Sequence, residues 1–216
     1  MASQAKIISA LLELNGQTFC EEMGIDLARN TPSPLFCWLV ASTLLSARIT
    51  HGIALKAAKA LLRAGWRTPE KMAQSSWEER TKTLNRSGYA RYDESTSRML
   101  GDTASKMLAL YGGDLRRLRE AAGHDPAEER RLLKAFKGIG DVGADIFFRE
   151  MQTVWSEIYP FADKKALSAA ETLGLPATAG ELSKLVSREE LPILLCALVR
   201  TALDKKYDEV RKRAEA

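Results

Sequence analysis

Residues 35–47 read LFCWLVASTLLSA, apolar on every side of a helix. Such a helix is stable only when other elements wrap it completely, so this segment belongs at the centre of a domain. Its start is marked by Thr31-Pro32-Ser33-Pro34, because proline disfavours helix in the residue before it. The cover is helical as well. Ile7, Ile8, Leu11, Leu12 and Leu14 recur at helical spacing in 3–14, and 53–64 is amphipathic. Thr68-Pro69-Glu70 is an N-cap with proline in the first turn, and a further helix starts at 75–79 and ends near Ser87-Gly88. A long helix at 93–111 stops at Gly112-Gly113, a short one follows at 114–121, and His124-Asp125-Pro126 restarts the chain into 127–136. Beyond these, 164–173 and 179–186 read as helix, and 189–210 contains the buried run LPILLCALVRTAL before a charged tail. Residues 17–31 are of mixed character, loop and short helix. No stretch alternates as a strand must, so the fold class is all-α.

A chain of 216 residues with 45% apolar side chains holds one domain or two small ones, with a real core. Trp38, Trp66 and Trp77 are expected in it. The formal net charge of +4 permits a polyanionic partner without demanding one. Cys20, Cys37 and Cys196 are far apart, two of them in the apolar runs CWLVA and LLCALV, which suits buried free thiols. None is spaced for zinc or iron–sulfur, and His51 and His124 are too isolated for a metal site. Residues 1–16 lack the continuous apolar segment of a leader, and no run is long enough to span a bilayer. A soluble, cytoplasmic, monomeric protein is the expectation.

The stretch 133–163, LKAFKGIGDVGADIFFREMQTVWSEIYPFAD, joins a helix, a glycine turn at Lys137-Gly138-Ile139-Gly140, a second helix and a loop that ends on an acid. Two glycines around one aliphatic residue let the backbone turn sharply and approach another surface. The free N–H groups of the following helix suit a phosphate over the turn.

At this turn the chain resembles the helix-hairpin-helix DNA glycosylases of the endonuclease III type, in which a G-V-G or G-I-G turn, a helix and an Asp at the end of the next loop follow one another. Gly138-Ile139-Gly140 and Asp163 match them. Ser33-Pro34-Leu35 through Leu44-Leu45-Ser46-Ala47 is similar to the family's SPFELLIAVLLSAQ helix, with Arg48 near the polar residue that fills the gap left by a flipped base. Gly88-Tyr89-Ala90-Arg91-Tyr92 stands where the family carries its GLYNSKA-like wedge loop. The three segments agree in order over roughly 32–175. The resemblance implies two helical domains with duplex DNA held across a cleft and the hairpin near their junction: 32–152 as a barrel-like domain ending in the hairpin, and 1–31 plus 153–216 as the second, carrying the Asp.

Four departures bear on chemistry. Val142 stands where bifunctional members carry the lysine that attacks the sugar, which rules out a lyase step through that residue. The family's V-D-T-H reads Ala162-Asp163-Lys164-Lys165, without its His, and the loop before Asp163 is longer. The four-cysteine iron–sulfur cluster at the family's C-terminus has no counterpart after Cys196.

The expected function is therefore a monofunctional DNA N-glycosylase that flips a damaged or mismatched base from a duplex, or alternatively a DNA-binding protein of the same fold without chemistry. A helical protein–protein adaptor is a more distant third. Cleavage of an N-glycosidic bond builds positive charge on the sugar, so a carboxylate nearby is needed, and Asp163 is the candidate. An Asp directly before Lys164-Lys165-Ala166-Leu167 is equally a helix N-cap. The hairpin residues Lys137, Gly138, Ile139, Gly140, Val142 and Gly143 are expected at phosphate, with a monovalent cation at the turn and no other cofactor. Base extrusion leaves a hole that something must fill: Tyr89 or Tyr92 is the candidate wedge, with Arg91 in the same loop and Arg48 on the orphaned base. Lys164 is a phosphate candidate, Trp155 and Tyr159 candidate walls of a base pocket, and Asp145 a residue of the cleft or of the surface.

Overall fold

The structure, a computed structural model, describes residues 3–216. Its helices are α1 (Gln4–Asn15), α2 (Phe19–Met23), α3 (Pro32–Leu45), α4 (His51–Arg63), α5 (Pro69–Gln74), α6 (Trp77–Arg86), α7 (Asp93–Tyr111), α8 (Leu115–Ala121), α9 (Pro126–Lys134), α10 (Asp141–Met151), α11 (Lys164–Thr172), α12 (Ala179–Leu182), α13 (Glu190–Asp204) and α14 (Tyr207–Glu215). Leu27–Arg29 and Ser156–Ile158 form short 3-10 turns. No strand occurs among the described residues, and no helix there is long and apolar enough to cross a membrane. The fold is all-α.

The chain divides into two compact units. One is continuous, Met23–Phe147; the other joins residues up to Glu22 with Phe148–Ala216. The sequence places the divisions at 31/32 and 152/153; in the structure they fall at 22/23 and 147/148. Side-chain commitments explain the difference. Leu27 is buried, and Arg67 donates to Gly24 O at 3.2 Å, which ties 23–31 to the continuous unit. Past Phe147, the side chains of α10 serve the other unit, as described below.

The continuous unit is built around α3. Leu35, Phe36, Cys37, Trp38, Leu39, Ala41 and Leu44 are all at most 1% exposed. That is what a helix apolar on every side requires. The Trp38 indole donates to Phe147 O at 3.0 Å, so the polar handle of the largest core side chain is satisfied. Helix α4 packs on α3, and α5 and α6 pack on α7. The start of α6 carries a capping box, Ser76 with Glu79. Arg80 is buried there, its guanidinium donating to Ser97 O, Met72 O and Ser75 O. A buried cation satisfied by carbonyls pins α5, α6 and α7 together.

In the discontinuous unit α13 is the buried helix, packed by α1 and α11. The sequence reads 189–210 as one helical run. The structure breaks it at Lys205, which takes a left-handed conformation with φ 57°. Asp204, Lys205 and Lys206 are exposed, so nothing apolar rewards continuation, and α14 instead lies on α1 and buries Val210 and Ala214. Cys20, Cys37 and Cys196 are free and buried.

Candidate nucleic-acid interface and acid site

The hairpin belongs to the continuous unit. Asp125 caps α9 by accepting from Ala127 N and Glu128 N, with Pro126 at the first helical position. After α9, Ile139 N donates to Phe136 O at 3.1 Å, closing the turn over two buried side chains. The two turn glycines differ in what requires them. Gly138 has φ +89°, and a Cβ there would meet Met99 Sδ at 2.9 Å and Thr43 Cγ2 at 3.0 Å. Its hydrogen is needed by the fold. Gly140 lies outside the left-handed region, and a Cβ there would meet nothing within 4 Å. No contact within the protein explains a glycine at 140, and the space beside it is open. Gly143 is buried under the turn, and Val142 is 59% exposed in the first turn of α10.

The cations of the hairpin have carboxylate partners. Lys134 reaches Asp141 at 2.6 Å and Lys137 reaches Asp102 at 2.9 Å. Arg131 pairs with Glu128 at 2.5 Å, and Arg130 with Asp145. Asp145 is thus half-buried against α9. A hydrogen bond from Lys134, with its charge, lowers the Asp141 carboxyl below its ordinary value.

Three segments distant in sequence come together beside the turn. An open pocket of about 280 Å³ is lined by Ser46, Ala47 and Arg48 after α3, by Tyr89 and Tyr92 of the 88–92 loop, by Thr96 on α7, and by Gly138. Arg48 is exposed. Tyr92 is half-buried, with the Arg91 guanidinium over its ring at 5.3 Å. Tyr89, the other wedge candidate, is placed differently. It is 1% exposed and its phenol bonds to Thr96, while burial raises its pKa. A wedge needs a free tip, so Tyr89 is a wall of the pocket and Tyr92 is the remaining wedge candidate of the pair.

Asp163 lies in the discontinuous unit, 5% exposed. It is the N-cap of α11: Oδ1 accepts from Lys165 N at 3.1 Å and from Ala166 N at 3.3 Å. Oδ2 accepts from Arg149 Nε at 2.6 Å, in an ion pair whose side chains are both 4% exposed. Burial disfavours the Arg149 cation, but the Asp163 charge and hydrogen bond outweigh it and raise its pKa. Gln152, directly after α10, donates to Phe161 O and accepts from Phe161 N, both at 3.0 Å. Phe148 meets the Phe161 ring edge-on at 5.6 Å. Three neighbouring side chains at the end of α10 and just past it therefore hold the segment 161–163.

Trp155, a candidate wall of a base pocket, is fully buried among the core side chains. Tyr159 is half-buried under the Arg188 guanidinium, 4.5 Å from its ring centroid, and Lys164 is exposed. Sequence reasoning did not single out Arg149. Its signal was Arg149-Glu150 directly after the apolar run Ile146-Phe147-Phe148, two charges entering a helix whose flank is core. Glu150 is 1% exposed and accepts from Phe19 N at 3.1 Å and Cys20 N at 2.9 Å, with the Cys196 thiol at 3.4 Å. Desolvation raises its pKa against those N–H donors. Among the described residues no group of three His, Cys, Asp or Glu side chains is placed to hold a metal.

No known family model and no curated protein sequence matches this chain. Two solved structures resemble it. A non-covalent endonuclease III–DNA complex is 18% identical, covering 90% of this chain and 81% of that one, with a TM-score of 0.53. A trapped endonuclease III–DNA covalent intermediate with an estranged adenine is 20% identical over 76% of this chain and 71% of that one, with a TM-score of 0.47. The first of these likenesses establishes a shared fold.

Proposed function

We propose that this protein is a DNA N-glycosylase of the monofunctional kind, which extrudes a damaged or mismatched base and hydrolyses its N-glycosidic bond. One observation supports this above the others. The end of α3, the 88–92 loop and the hairpin glycine, which the family resemblance pairs with base-gap, wedge and phosphate roles, line a single open pocket. In this reading the turn and the first N–H groups of α10 bind a phosphate, with a monovalent cation on the turn carbonyls. Tyr92 fills the stack and Arg48 meets the orphaned base. Asp163 accepts a hydrogen bond from the attacking water. The water oxygen bonds to C1′ of the sugar, the C1′–N bond breaks with its electron pair leaving on the base, and the water proton passes by way of Asp163 to that base. Val142 offers no amine, so the reaction stops at an abasic site. This reading includes no iron–sulfur cluster.

A second reading has its own support. The Asp163 carboxylate is capped, buried and paired, which suits a protein that grips duplex DNA without excising a base. A panel of lesion-bearing and mismatched duplexes, assayed with and without alkali, separates the two. Base release with strand breaks only after alkali supports the glycosylase. Salt-sensitive binding with no base release supports the second reading, and absence of DNA affinity removes both.

A further inference from the structure

We infer that Arg149 is the positioning residue for Asp163, and that it selects the one lone pair through which Asp163 acts; this rests on the base-excision reading. A carboxylate offers about four lone-pair sites. On Asp163 three are filled: Oδ1 by the N–H groups of Lys165 and Ala166, and Oδ2 by Arg149 Nε–H at 2.6 Å. The open lone pair is therefore on Oδ2, and its direction is set by where Nε stands.

Arg149 is well placed to hold that direction. Its side chain is 4% exposed, so water does not compete for the pair. Its guanidinium lies over the Phe19 ring, 5.8 Å from the centroid. The backbone on the acid side is fixed by Gln152, directly after the same helix, on Phe161. The guanidinium, as the carboxylate's counter-ion, also opposes its field. Asp163 is thus poorly suited to act as a bare anion opposite a sugar cation, and well suited to act as an oriented acceptor for one O–H group. Orientation of this kind carries large rate factors, because a misplacement near 1 Å costs roughly a hundredfold.

The test is Arg149→Lys in the full chain. Lysine keeps the charge but presents a rotatable point donor instead of a fixed Nε–H. The readouts are the thermal midpoint, the duplex Kd and the single-turnover rate constant of base release at saturating protein. That rate constant reports each folded molecule, so a lower folded fraction alone does not move it. The expected result is an unchanged Kd with base release slower by roughly tenfold to a hundredfold. Arg149→Gln, which keeps a neutral donor of shorter reach, is expected to slow release similarly. Arg149→Lys added to Asp163→Asn is expected to slow release no further than Asp163→Asn alone. Wild-type rates in both single variants, or a double variant slowed by the product of the two factors, overturn the inference while leaving the glycosylase reading standing. A wild-type protein that releases no base from any duplex overturns both.

Discussion

Asp163→Asn is the substitution that a catalytic carboxylate invites, and the structure predicts that it unsettles the fold as well as the chemistry. Asparagine is as good an N-cap as aspartate, so its Oδ1 can still accept from Lys165 N and Ala166 N. The Nδ2 group then faces Arg149 Nε–H, donor against donor. Arg149 is left as a buried cation with a 4% exposed side chain and no counter-ion in Asp163. Removing one member of a buried pair costs about 3–5 kcal/mol, a large share of the roughly 5–15 kcal/mol that holds a typical domain folded. Removing both members leaves no orphaned charge, so Arg149→Met with Asp163→Asn is expected to recover most of the loss. The assay is urea unfolding followed by fluorescence, where Trp155, the tryptophan of the discontinuous unit, reports locally. A loss below about 1 kcal/mol in Asp163→Asn, the range of an exposed pair, would refute the reasoning. So would a double variant less stable than the single one. The consequence for any activity assay is direct: a dead Asp163→Asn protein is informative only when its folded fraction is measured beside it.

The two hairpin glycines should separate fold from ligand. Gly138→Ala, at φ +89° and against Met99 Sδ, is expected to lower stability by about 1–2 kcal/mol or more, whereas Gly140→Ala should melt like the wild type and bind duplex DNA more weakly; equal binding by Gly140→Ala, read by fluorescence anisotropy, contradicts a backbone approach there. Asp141→Asn with Asp102→Asn frees Lys134 and Lys137 from their partners. DNA affinity should rise, and the slope of log K against log salt should steepen by about one per lysine that reaches a phosphate; an unchanged slope sinks the prediction. Glu150, whose pKa burial raises, binds a proton more readily in the folded chain than in the unfolded one. Its effect on stability is therefore most favourable at low pH and is lost as pH rises from the ordinary glutamate value of about 4.3 towards its raised folded value. Subtracting the unfolding free energy of Glu150→Gln from that of the wild type at each pH should give a difference that falls across that interval, and a flat or rising difference contradicts it.

Much of the fold was legible because helical periodicity and its punctuation are local signals. The run 35–47 has no polar face, and the structure encloses it on all sides. The glycines, prolines and capping residues at 31–34, 68–70, 75–79 and 124–126 mark real ends. The candidate site was legible only as a set of segments. That Tyr89 is enclosed while Tyr92 stays half open depends on which side of a five-residue loop faces α7, and no periodicity reports that. Trp155 looked like a loop aromatic, but the 3-10 turn that follows folds it into the core. Arg149 was overlooked because its partner lies fourteen residues on, across a loop of irregular backbone. The same distance hid the division of the chain within α10, whose last residues point their polar groups at Phe19, Cys20 and Asp163.

Both the hairpin and the acid are charge-compensated, and burial decides what that means for each. Lys137 and Asp102 have side chains 74% and 53% exposed, and Lys134 and Asp141 are 41% and 72% exposed. Exposed pairs of this kind contribute little and are screened by salt. A phosphate, which also meets the N–H groups at the start of α10, competes with such carboxylates on favourable terms. In the DNA-binding readings proposed above, compensation there would tune affinity without abolishing it. Arg149 and Asp163 are in the opposite regime, since the pair is largely shielded from bulk water and removal of one member costs about 3–5 kcal/mol. In the base-excision reading, Asp163 would meet its substrate with the arginine still attached, an arrangement that suits an oriented acceptor better than a bare anion. Between the two proposed readings, base excision and simple DNA binding, the group on which they differ is a single oxygen, Oδ2 of Asp163, with the guanidinium that pairs with it.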